Sequence, residues 1–501
     1  MSEPLHRSMR FEPIEPALEP YDLLGLSREE DYVCLLENPG EATTLGRYSF
    51  LCTDPFLVFR SKRNRCYAGP PGDLTELPGA PFDELRRLLT RYGMSPSAWQ
   101  PGLPPFLGGA VGYLSYEMLY ELERIPDLGR DDFAVPDSYL FFCDTVTAVD
   151  KLTGKAWAIA TGFGATQAEA ERRAEERLET LRAKRATHRP SDEDAFRQEM
   201  LARRKERLKS RPRLLDAHLE GLGIRPVVSH ARYVEIVDTA KEHIFAGDIF
   251  EVCTSQRFDT ELSGELCDVY RILRTISQAP FSAYLKFPEF EVASSSPERY
   301  LRLDRQRWAE TRPIKGTRPR GRTQEEDEAY KQDLATAEKD HAENIMIVDL
   351  ARNDLGRVCE FGTVIVPELR IIESYTYTHQ LVSTVRGHLR DEYNAIDLVC
   401  ATFPGGSMTG APKVEAMKII DRLEPVKRGV FSGCIGYFDF DGAMDLNIVI
   451  RTLVKRGERV SFHVGGAIVA DSISEEEYQE TLDKAHGMVT ALEFARQGGR
   501  R

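Results

Sequence analysis

Residues 311–357 read TRPIKGTRPRGRTQEEDEAYKQDLATAEKDHAENIMIVDLARNDLGR, and the rest of the chain is interpreted around this stretch. Lys315 lies between apolar and glycine neighbours at the end of a predicted strand. Asp340 and Glu343 follow on a predicted helix, where their spacing puts both carboxylates on one face. A lysine near paired carboxylates suits a site that binds an anionic substrate through a hard metal ion. The remaining sequence is therefore expected to supply partners for this stretch.

A second carboxylate pair near the C-terminus, Glu477 and Glu480, has the same spacing. If the two helices face each other, the four carboxylates form an oxygen-rich cage suited to Mg²⁺. Taken singly, each pair is more typical of an ordinary solvated helix face, and Glu480 has Lys484 one turn later as an alternative partner. The metal hypothesis therefore depends on the two pairs occurring together.

Three side chains are candidates for nucleophilic attack or proton transfer. A desolvated Lys315 would lose its proton more easily and could act as a nucleophile or base, although a lysine that reaches solvent fits the same pattern. His379 is a candidate general base or hydrogen-bond donor, but a lone histidine is more often structural. Glu298, in SSSPERY, offers a proton-transfer group on a turn.

The sequence also contains groups suited to binding an anion. Residues 404–413 form a glycine-rich loop that can present backbone N–H groups at a helix start, although it matches neither Walker A nor the dinucleotide fingerprint. Arg451 and Lys484 are the cations expected at substrate carboxylates, and arginine can bind a carboxylate through two hydrogen bonds.

The length of 501 residues suggests roughly three domains, or fewer if the sheets are large. Residues 1–181 are predicted to be rich in strands, and residues 226–497 contain the motifs described above. Residues 182–225 form a basic linker or insertion, with twelve Lys or Arg against five Asp or Glu in residues 182–213. This segment is interpreted as a solvated helix and linker, with a docking surface for an acidic partner as the alternative.

The formal net charge of -14 argues against general nucleic-acid binding, which requires a basic face. The nine cysteines show neither a CxxC pair nor zinc-ligand spacing, which favours reduced, buried thiols in the cytoplasm. No segment is typical of a signal peptide or a membrane span. We therefore expect a soluble cytoplasmic protein that binds neither membrane nor nucleic acid.

A series of motifs resembles the chorismate-utilising enzymes, a family that includes anthranilate synthase component I, aminodeoxychorismate synthase component I, isochorismate synthase and salicylate synthase. The motifs are, in order, LLENPGEATTLGRYSFL, FLGGAVGYLSYE, SSSPERY, PIKGTRPRG, AENIMIVDLARNDLGRV, THQLVSTVRG, FPGGSMTGAPKVEAM, SGCIGYF and ADSISEEEYQETLDKA. The resemblance implies an α+β fold in which two large, mostly antiparallel sheets pack face to face with helices outside. It also implies that the substrate is chorismate and the metal is Mg²⁺.

The same resemblance assigns roles to individual residues of this chain. It implies that Glu343 and Glu480 ligate Mg²⁺, while Asp340 and Glu477 hold metal-bound waters. It further implies that Arg451 binds the enolpyruvyl carboxylate with help from the backbone near Gly466 and Ala467. The other implied contacts are Lys484 beside the metal, Ser407, Gly406 and Thr317 at the substrate, and His379 and Glu298 at the ring hydroxyl and in proton movements.

Three motifs favour the aminodeoxychorismate branch of the family. Lys315 stands in the motif PIKGT, which resembles the aminodeoxychorismate branch. Anthranilate synthases have alanine at this position, in the motif PIAGT. The resemblance implies that this lysine attacks C2 of chorismate as the 4-hydroxyl leaves, after which ammonia enters at C4. GGSMTGAPK and QAPFSAYL are also similar to the aminodeoxychorismate form. Anthranilate synthase component I is the alternative activity, and an inactive ligand sensor or scaffold is the alternative from another class.

Other departures from the family pattern concern regulation and rival activities. Asn38 replaces the serine of feedback-inhibited anthranilate synthases, which argues against inhibition by tryptophan. Glu251 occupies the position of the lysine base that isochorismate and salicylate synthases need. Phe431 replaces a tyrosine that is usual in anthranilate synthases. Because the chain shows no Cys-His-Glu glutaminase signature, a separate glutamine amidotransferase subunit is expected to supply ammonia, and the product would lead to 4-aminobenzoate and folate.

Overall fold

Two antiparallel sheets of twelve strands each dominate a computed structural model that describes residues 5–15, 18, 22–40, 45–95, 99–187, 193–210 and 213–498. Sheet A contains β1 (His6–Pro13), β2 (Val33–Glu37), β3 (Tyr48–Thr53), β9 (Thr145–Asp150), β10 (Lys155–Gly164), β11 (Arg225–Pro226), β12 (Glu251–Glu261), β13 (Phe281–Phe287), β14 (Phe290–Ser296), β20 (Gly410–Ala411), β23 (Thr452–Arg456) and β24 (Arg459–Ile468). Its order is β1, β10, β9, β3, β2, β13, β14, β23, β24, β12, β11, with β20 also paired to β12.

Sheet B contains β4 (Leu57–Lys62), β5 (Arg65–Gly69), β6 (Thr75–Leu77), β7 (Gly109–Leu114), β8 (Ser138–Cys143), β15 (Arg299–Leu303), β16 (Trp308–Thr311), β17 (Ile314–Pro319), β18 (Ile365–Ser374), β19 (Thr378–His388), β21 (Cys434–Asp439) and β22 (Met444–Ile448). Its order is β17, β19, β16, β15, β22, β21, β7, β8, β4, β5, β6, with β18 also paired to β19. The predicted α+β class with two large antiparallel sheets is confirmed.

The described helices cover the outer faces and connect the sheets. They are α1 (Asp22–Ser27), α2 (Pro81–Tyr92), α3 (Gln167–Thr187), α4 (Glu193–Ser210), α5 (Asp216–Gly221), α6 (His230–Ala246), α7 (Leu266–Ser277), α8 (Gln324–Thr336), α9 (Glu338–Gly356), α10 (Ala395–Thr402), α11 (Lys413–Leu423) and α12 (Ser474–Gly498), with two 3₁₀ turns at Tyr116–Glu121 and Gly406–Met408. Strands such as β8 are buried on both faces because helices pack outside the sheets.

Aromatic side chains fill the space between the two sheets. Tyr139 of sheet B lies against Phe287 of sheet A, with their ring centres 4.3 Å apart. Phe50 of sheet A and Tyr437 of sheet B meet at 5.8 Å. These pairs lie in one hydrophobic cluster, so the inner faces of the two sheets share a core.

Close approach of backbones explains one of the glycines in FLGGAVGYLSYE. A Cβ on Gly112 would lie 2.1 Å from the carbonyl oxygen of Tyr139, and the φ of Gly112 is 148°. A larger residue there would force β7 away from β8.

Both sheets combine strands from before and after the basic segment. In sheet A, β2 pairs with β13, and in sheet B, β7 pairs with β21. The boundaries at 181 and 226 stay a prediction, and residues 188–192 and 211–212 of the segment lie outside the described residues. The described part of the segment is mainly helical, and α4 packs against α7.

All nine cysteines are free thiols, and only Cys400 is not fully buried, as the sequence predicted. Within the described ranges, none of the helices has both the length and the apolar composition that crossing a bilayer requires.

Candidate active site

The centre of the candidate site is an ion pair between the two sheets. Lys315 of β17 donates from Nζ to Oε1 of Glu251 on β12 over 2.7 Å, and the same ammonium lies 3.8 Å from Oε2 of Glu343 on α9. Lys315 is 8% exposed and Glu251 is fully buried. Lysine and carboxylates therefore meet here, as the sequence predicted for residues 311–357.

The protonation of Lys315 differs from the sequence-based expectation. Burial lowers the pKa of its ammonium, whereas the negative charges of Glu251 and then Glu343 raise it. The carboxylates together have the larger effect, so the pKa lies above its ordinary value. The effect of desolvation, which would make this lysine an easily deprotonated amine, is therefore outweighed by the neighbouring carboxylates. The larger part comes from Glu251, whose contact with Lys315 the sequence did not predict.

Glu298 lies between β14 and β15, close to three other predicted site residues. Burial raises the pKa of its carboxyl to about 7, against the lowering effects of a hydrogen bond with Ser407 and of the charges on Lys315 and Arg451. A carboxyl with a pKa near neutrality can both donate and accept a proton. The structure thus brings a proton-transfer group, the nucleophile candidate and two substrate-binding candidates together.

A lysine links the two acidic helices. The ammonium of Lys339 lies 4.0 Å from Oε1 of Glu343 on α9 and 3.9 Å from Oε1 of Glu477 on α12. The other oxygen of Glu477, Oε2, is buried and accepts no hydrogen bond from the described part of the chain. Burial raises the pKa of Glu477, and it raises the pKa of Glu343 to about 7. Two carboxylates from different helices therefore share one cation.

The remaining two carboxylates, those of Asp340 and Glu480, form ion pairs with separate cations. Asp340 accepts a hydrogen bond of 2.9 Å from Arg318, and Glu480 lies 2.7 Å from Lys484. As a result, no group of three or more His, Cys, Asp or Glu side chains in the described part of the chain is arranged to hold a metal ion. The four predicted ligands lie on the predicted helices without closing into the expected cage.

The donor set nevertheless fits Mg²⁺. Glu343 and Glu477 already surround a positive charge, and the unpartnered Oε2 of Glu477 is an acceptor still to be satisfied. Carboxylate oxygens from two helices are ligands that Mg²⁺ prefers. Glu343 and Glu480 could hold the ion, with Glu477 in support, if Lys339 moves aside.

Gly466 lies beside these carboxylates on β24. A Cβ at this position would lie 3.0 Å from Oε2 of Glu477 and 3.6 Å from Oε1 of Glu480. Ala467 follows, opposite Cys253 of β12. Lys484 donates to the carbonyl oxygen of Gly465 over 2.7 Å, which fixes the lysine against the same strand. The predicted backbone site at residues 466–467 and the metal candidates are therefore neighbours.

Two predicted residues have no described contact with this cluster. His379 is fully buried, and its Nε2 lies 2.9 Å from Oδ1 of Asp327 while its Nδ1 lies 2.8 Å from Oγ of Ser374. Thr317 is exposed on β17, opposite Gln380. His379 thus belongs to a hydrogen-bond network with Asp327 of α8 and Ser374 of β18.

The sequence did not reveal all partners of the site. Glu251 was considered as a marker against rival activities, and not as the ion-pair partner of Lys315. Its signal is a carboxylate within FEVCTSQRF, where residues 252–258 are all buried. Lys339, one residue before Asp340, had no signal beyond its position on the acidic helix.

Comparisons with known proteins agree with this architecture. Residues 34–490 match the family described as chorismate binding enzyme. An aminodeoxychorismate synthase of Streptomyces pristinaespiralis is 43% identical over 434 residues, covering 85% of this chain and 56% of the relative, so the chain spans little more than half of that relative's length. Anthranilate synthase component 1 of Aquifex aeolicus is 37% identical over 478 residues, covering 95% of this chain and 92% of the relative.

The fold of a solved relative is also similar. The crystal structure of anthranilate synthase component I from Streptococcus pneumoniae superposes with a TM-score of 0.71 at 31% identity, covering 89% of this chain and 93% of the other. The family match, which extends over most of the sequence, and the shared two-sheet fold lead to one conclusion. This chain belongs to the family of chorismate binding enzymes.

Proposed function

We propose that this chorismate-utilising enzyme aminates chorismate at C4 to form 4-amino-4-deoxychorismate. The observation that carries the proposal is Lys315, a buried lysine 2.7 Å from Glu251 at the centre of the candidate site. A relative of 43% identity that is named aminodeoxychorismate synthase supports the same branch. The cell compartment that we propose is the cytoplasm, and the product would lead to 4-aminobenzoate and folate.

The proposed chemistry begins with the Nζ atom of Lys315. After losing its proton, for which Glu251 is the nearest acceptor, the amine forms a bond to C2 while the bond from C4 to its hydroxyl breaks. Glu298, with a pKa of about 7, can supply the proton that lets the hydroxyl leave as water. Ammonia then bonds to C4 as the bond between Lys315 and C2 breaks, and the ring double bonds that shifted in the first step return. The added nitrogen gives a proton to the Glu298 carboxylate, and the released amine of Lys315 takes back the proton held by Glu251, so the lysine is regenerated.

The substrate and metal are assigned to the groups that surround this pair. Arg451 would bind one carboxylate of chorismate, with Ser407 near the other. Glu343 and Glu480 would hold Mg²⁺, and Asp340 and Glu477 would support it from the same two helices. When bound, the ion supplies positive charge to a substrate carboxylate. A separate glutamine amidotransferase subunit would supply the ammonia.

Anthranilate synthase component I is the second candidate, because a relative with that name matches 95% of this chain and 92% of its own length. The two activities differ in product. Anthranilate is fluorescent and forms together with pyruvate, whereas aminodeoxychorismate keeps the enolpyruvyl group.

The deciding experiment incubates the purified chain with chorismate, ammonium and Mg²⁺, and follows products by chromatography with mass detection. Aminodeoxychorismate without pyruvate release is the expected result. Anthranilate with an equal amount of pyruvate would replace the proposal by the second candidate. Binding of chorismate without any turnover would instead favour an inactive scaffold.

A further inference from the structure

The basic helix α4 is attached to α12, the helix that carries two candidate metal carboxylates at its start. Arg207 donates from Nε to Oε2 of Glu493 over 2.7 Å, and its Nη1 lies 2.7 Å from Nε2 of His486. The guanidinium of Arg203 lies 4.2 Å from the centre of the Phe494 ring. One face of α4 is therefore fixed to the C-terminal half of α12.

Arg204, the neighbour of Arg203, contacts another part of the site. Its Cζ atom lies 3.7 Å from the centre of the Tyr377 ring, in the turn between β18 and β19. Among the described residues, Arg204 forms no ion pair and no hydrogen bond, so Tyr377 is its main partner. Both side chains are half-buried, and a cation above an aromatic face is more favourable when water is partly excluded.

The turn that carries Tyr377 is connected to Arg320. The backbone N–H of Arg320 donates to the carbonyl oxygen of Tyr377 over 3.2 Å, and its Nη1 donates to the carbonyl oxygen of Tyr375 over 2.8 Å. Movement of the turn would therefore displace Arg320.

Arg320 in turn fixes the partner of His379. Its Nε donates to Oδ1 of Asp327 over 2.8 Å, and the same oxygen lies 2.9 Å from Nε2 of His379. Nδ1 of His379 lies 2.8 Å from Oγ of Ser374, at the beginning of the turn. Each ring nitrogen of the histidine is therefore held by a group whose position depends on this turn.

We propose that Arg204 is a positioning residue for His379, and that α4 holds the turn between β18 and β19 in register with α12. The basic segment then has a role in the site although none of its residues is placed at the substrate. Only the link from His379 to catalysis rests on the proposed function; the contact itself can be tested without substrate.

Hydrogen exchange measured by mass spectrometry tests the structural part on the full chain. In Arg204→Met, amides of residues 374–380 are expected to exchange about 2- to 30-fold faster, the range that corresponds to one partly buried cation–π contact. Arg204→Lys keeps the cation and should restore most of the protection. Lys205→Met is the matched control, because Lys205, the other neighbour of Arg204, is exposed, and it should leave these amides unchanged.

A second pair of variants examines the contact from its other side. Tyr377→Leu should accelerate exchange as Arg204→Met does, and the double variant should be no faster than either single variant. Unchanged exchange in Arg204→Met, equal acceleration in Lys205→Met, or effects that multiply in the double variant would each overturn the proposal.

Steady-state kinetics then test the link to catalysis. Arg204→Met is expected to lower kcat by about 2- to 30-fold while KM for chorismate stays within about twofold, with recovery in Arg204→Lys. A change in KM alone would refute the link to His379. If the wild-type chain forms no aminated product, the proposed function fails, whereas the exchange result still decides whether Arg204 holds the turn.

Discussion

Removal of Lys315 should affect both chemistry and stability, because Glu251 depends on it. In Lys315→Ala, the fully buried Glu251 loses the ammonium at 2.7 Å. A buried carboxylate without a partner is neutralised by protonation. Holding a group with an ordinary pKa of about 4.3 neutral at pH 7 costs about 3.7 kcal/mol, at about 1.4 kcal/mol for each pH unit.

The pH dependence of this loss follows from its sign. A buried carboxyl that must stay neutral leaves stability fully present below about pH 4.3, the ordinary value for a glutamate in an unfolded chain, and stability decreases as pH rises because only the unfolded chain ionises. The cost is therefore about 1 kcal/mol at pH 5. With an unfolding entropy of about 1.1 kcal/mol/K for 501 residues, Tm should fall by about 3 to 4 °C at pH 7 and about 1 °C at pH 5.

The double variant Lys315→Ala with Glu251→Gln separates the two effects. Glutamine cannot ionise, so the additional loss of Tm between pH 5 and pH 7 should disappear. Amination at C4 should stay at least about 100-fold below that of the wild-type chain in both variants, because the nucleophile is absent from both.

Calorimetry at the two pH values and the product assay provide the measurements. Equal Tm losses at pH 5 and pH 7 in Lys315→Ala would refute the dependence of Glu251 on this lysine. Amination at C4 at an undiminished rate in either variant would show that Lys315 is not the nucleophile.

Other predictions concern the surroundings of the pair. Glu298→Gln should remove an ionisation near pH 7 from the pH profile of kcat/KM, because burial raises the pKa of Glu298 to about 7. The acid form of Glu298 prevails below that pH, so the wild-type rate should fall above it. An identical profile in the variant would exclude this residue as the titrating acid. Arg451→Lys should raise KM for chorismate by about 10- to 100-fold, as expected for a lost charge-assisted hydrogen bond. The Mg²⁺ affinity measured by calorimetry should stay unchanged. An unaltered KM would show that Arg451 does not bind the substrate. A thiol reagent should react rapidly with at most Cys400 in the native chain and with all nine cysteines after denaturation, because the other eight are buried; rapid reaction of several thiols would contradict the core packing.

The sequence predicts the elements of the site better than it predicts their contacts. The spacing of Asp340 and Glu343 was sufficient to place them on one helix, and the same holds for Glu477 on α12. Which cation each carboxylate selects depends on how the helices approach each other. Lys339 forms ion pairs with Glu343 and Glu477, whereas Asp340 pairs with Arg318.

Contacts between distant segments could not be predicted for a physical reason. Strand alternation shows that a residue points inward but does not identify what it meets there. His379 points inward and meets Asp327 of α8, which is 52 residues away in the chain. The basic segment was interpreted as solvated because its composition is polar, whereas Arg204 and Arg207 find partners on other elements.

A purely structural role explains the pair of Lys315 and Glu251 poorly. Removing two charges from water costs several kcal/mol for each ion, and an apolar pair of similar volume is often as stable or more stable. Oε2 of Glu251 is also buried without a hydrogen-bond partner among the described residues, which adds to the cost. The pair therefore has no evident benefit for folding, while it places an amine and its nearest proton acceptor 2.7 Å apart beside Glu298. The pair is costly as a structural element but useful as a nucleophile with its base. For this reason we assign the covalent step of the proposed reaction to Lys315.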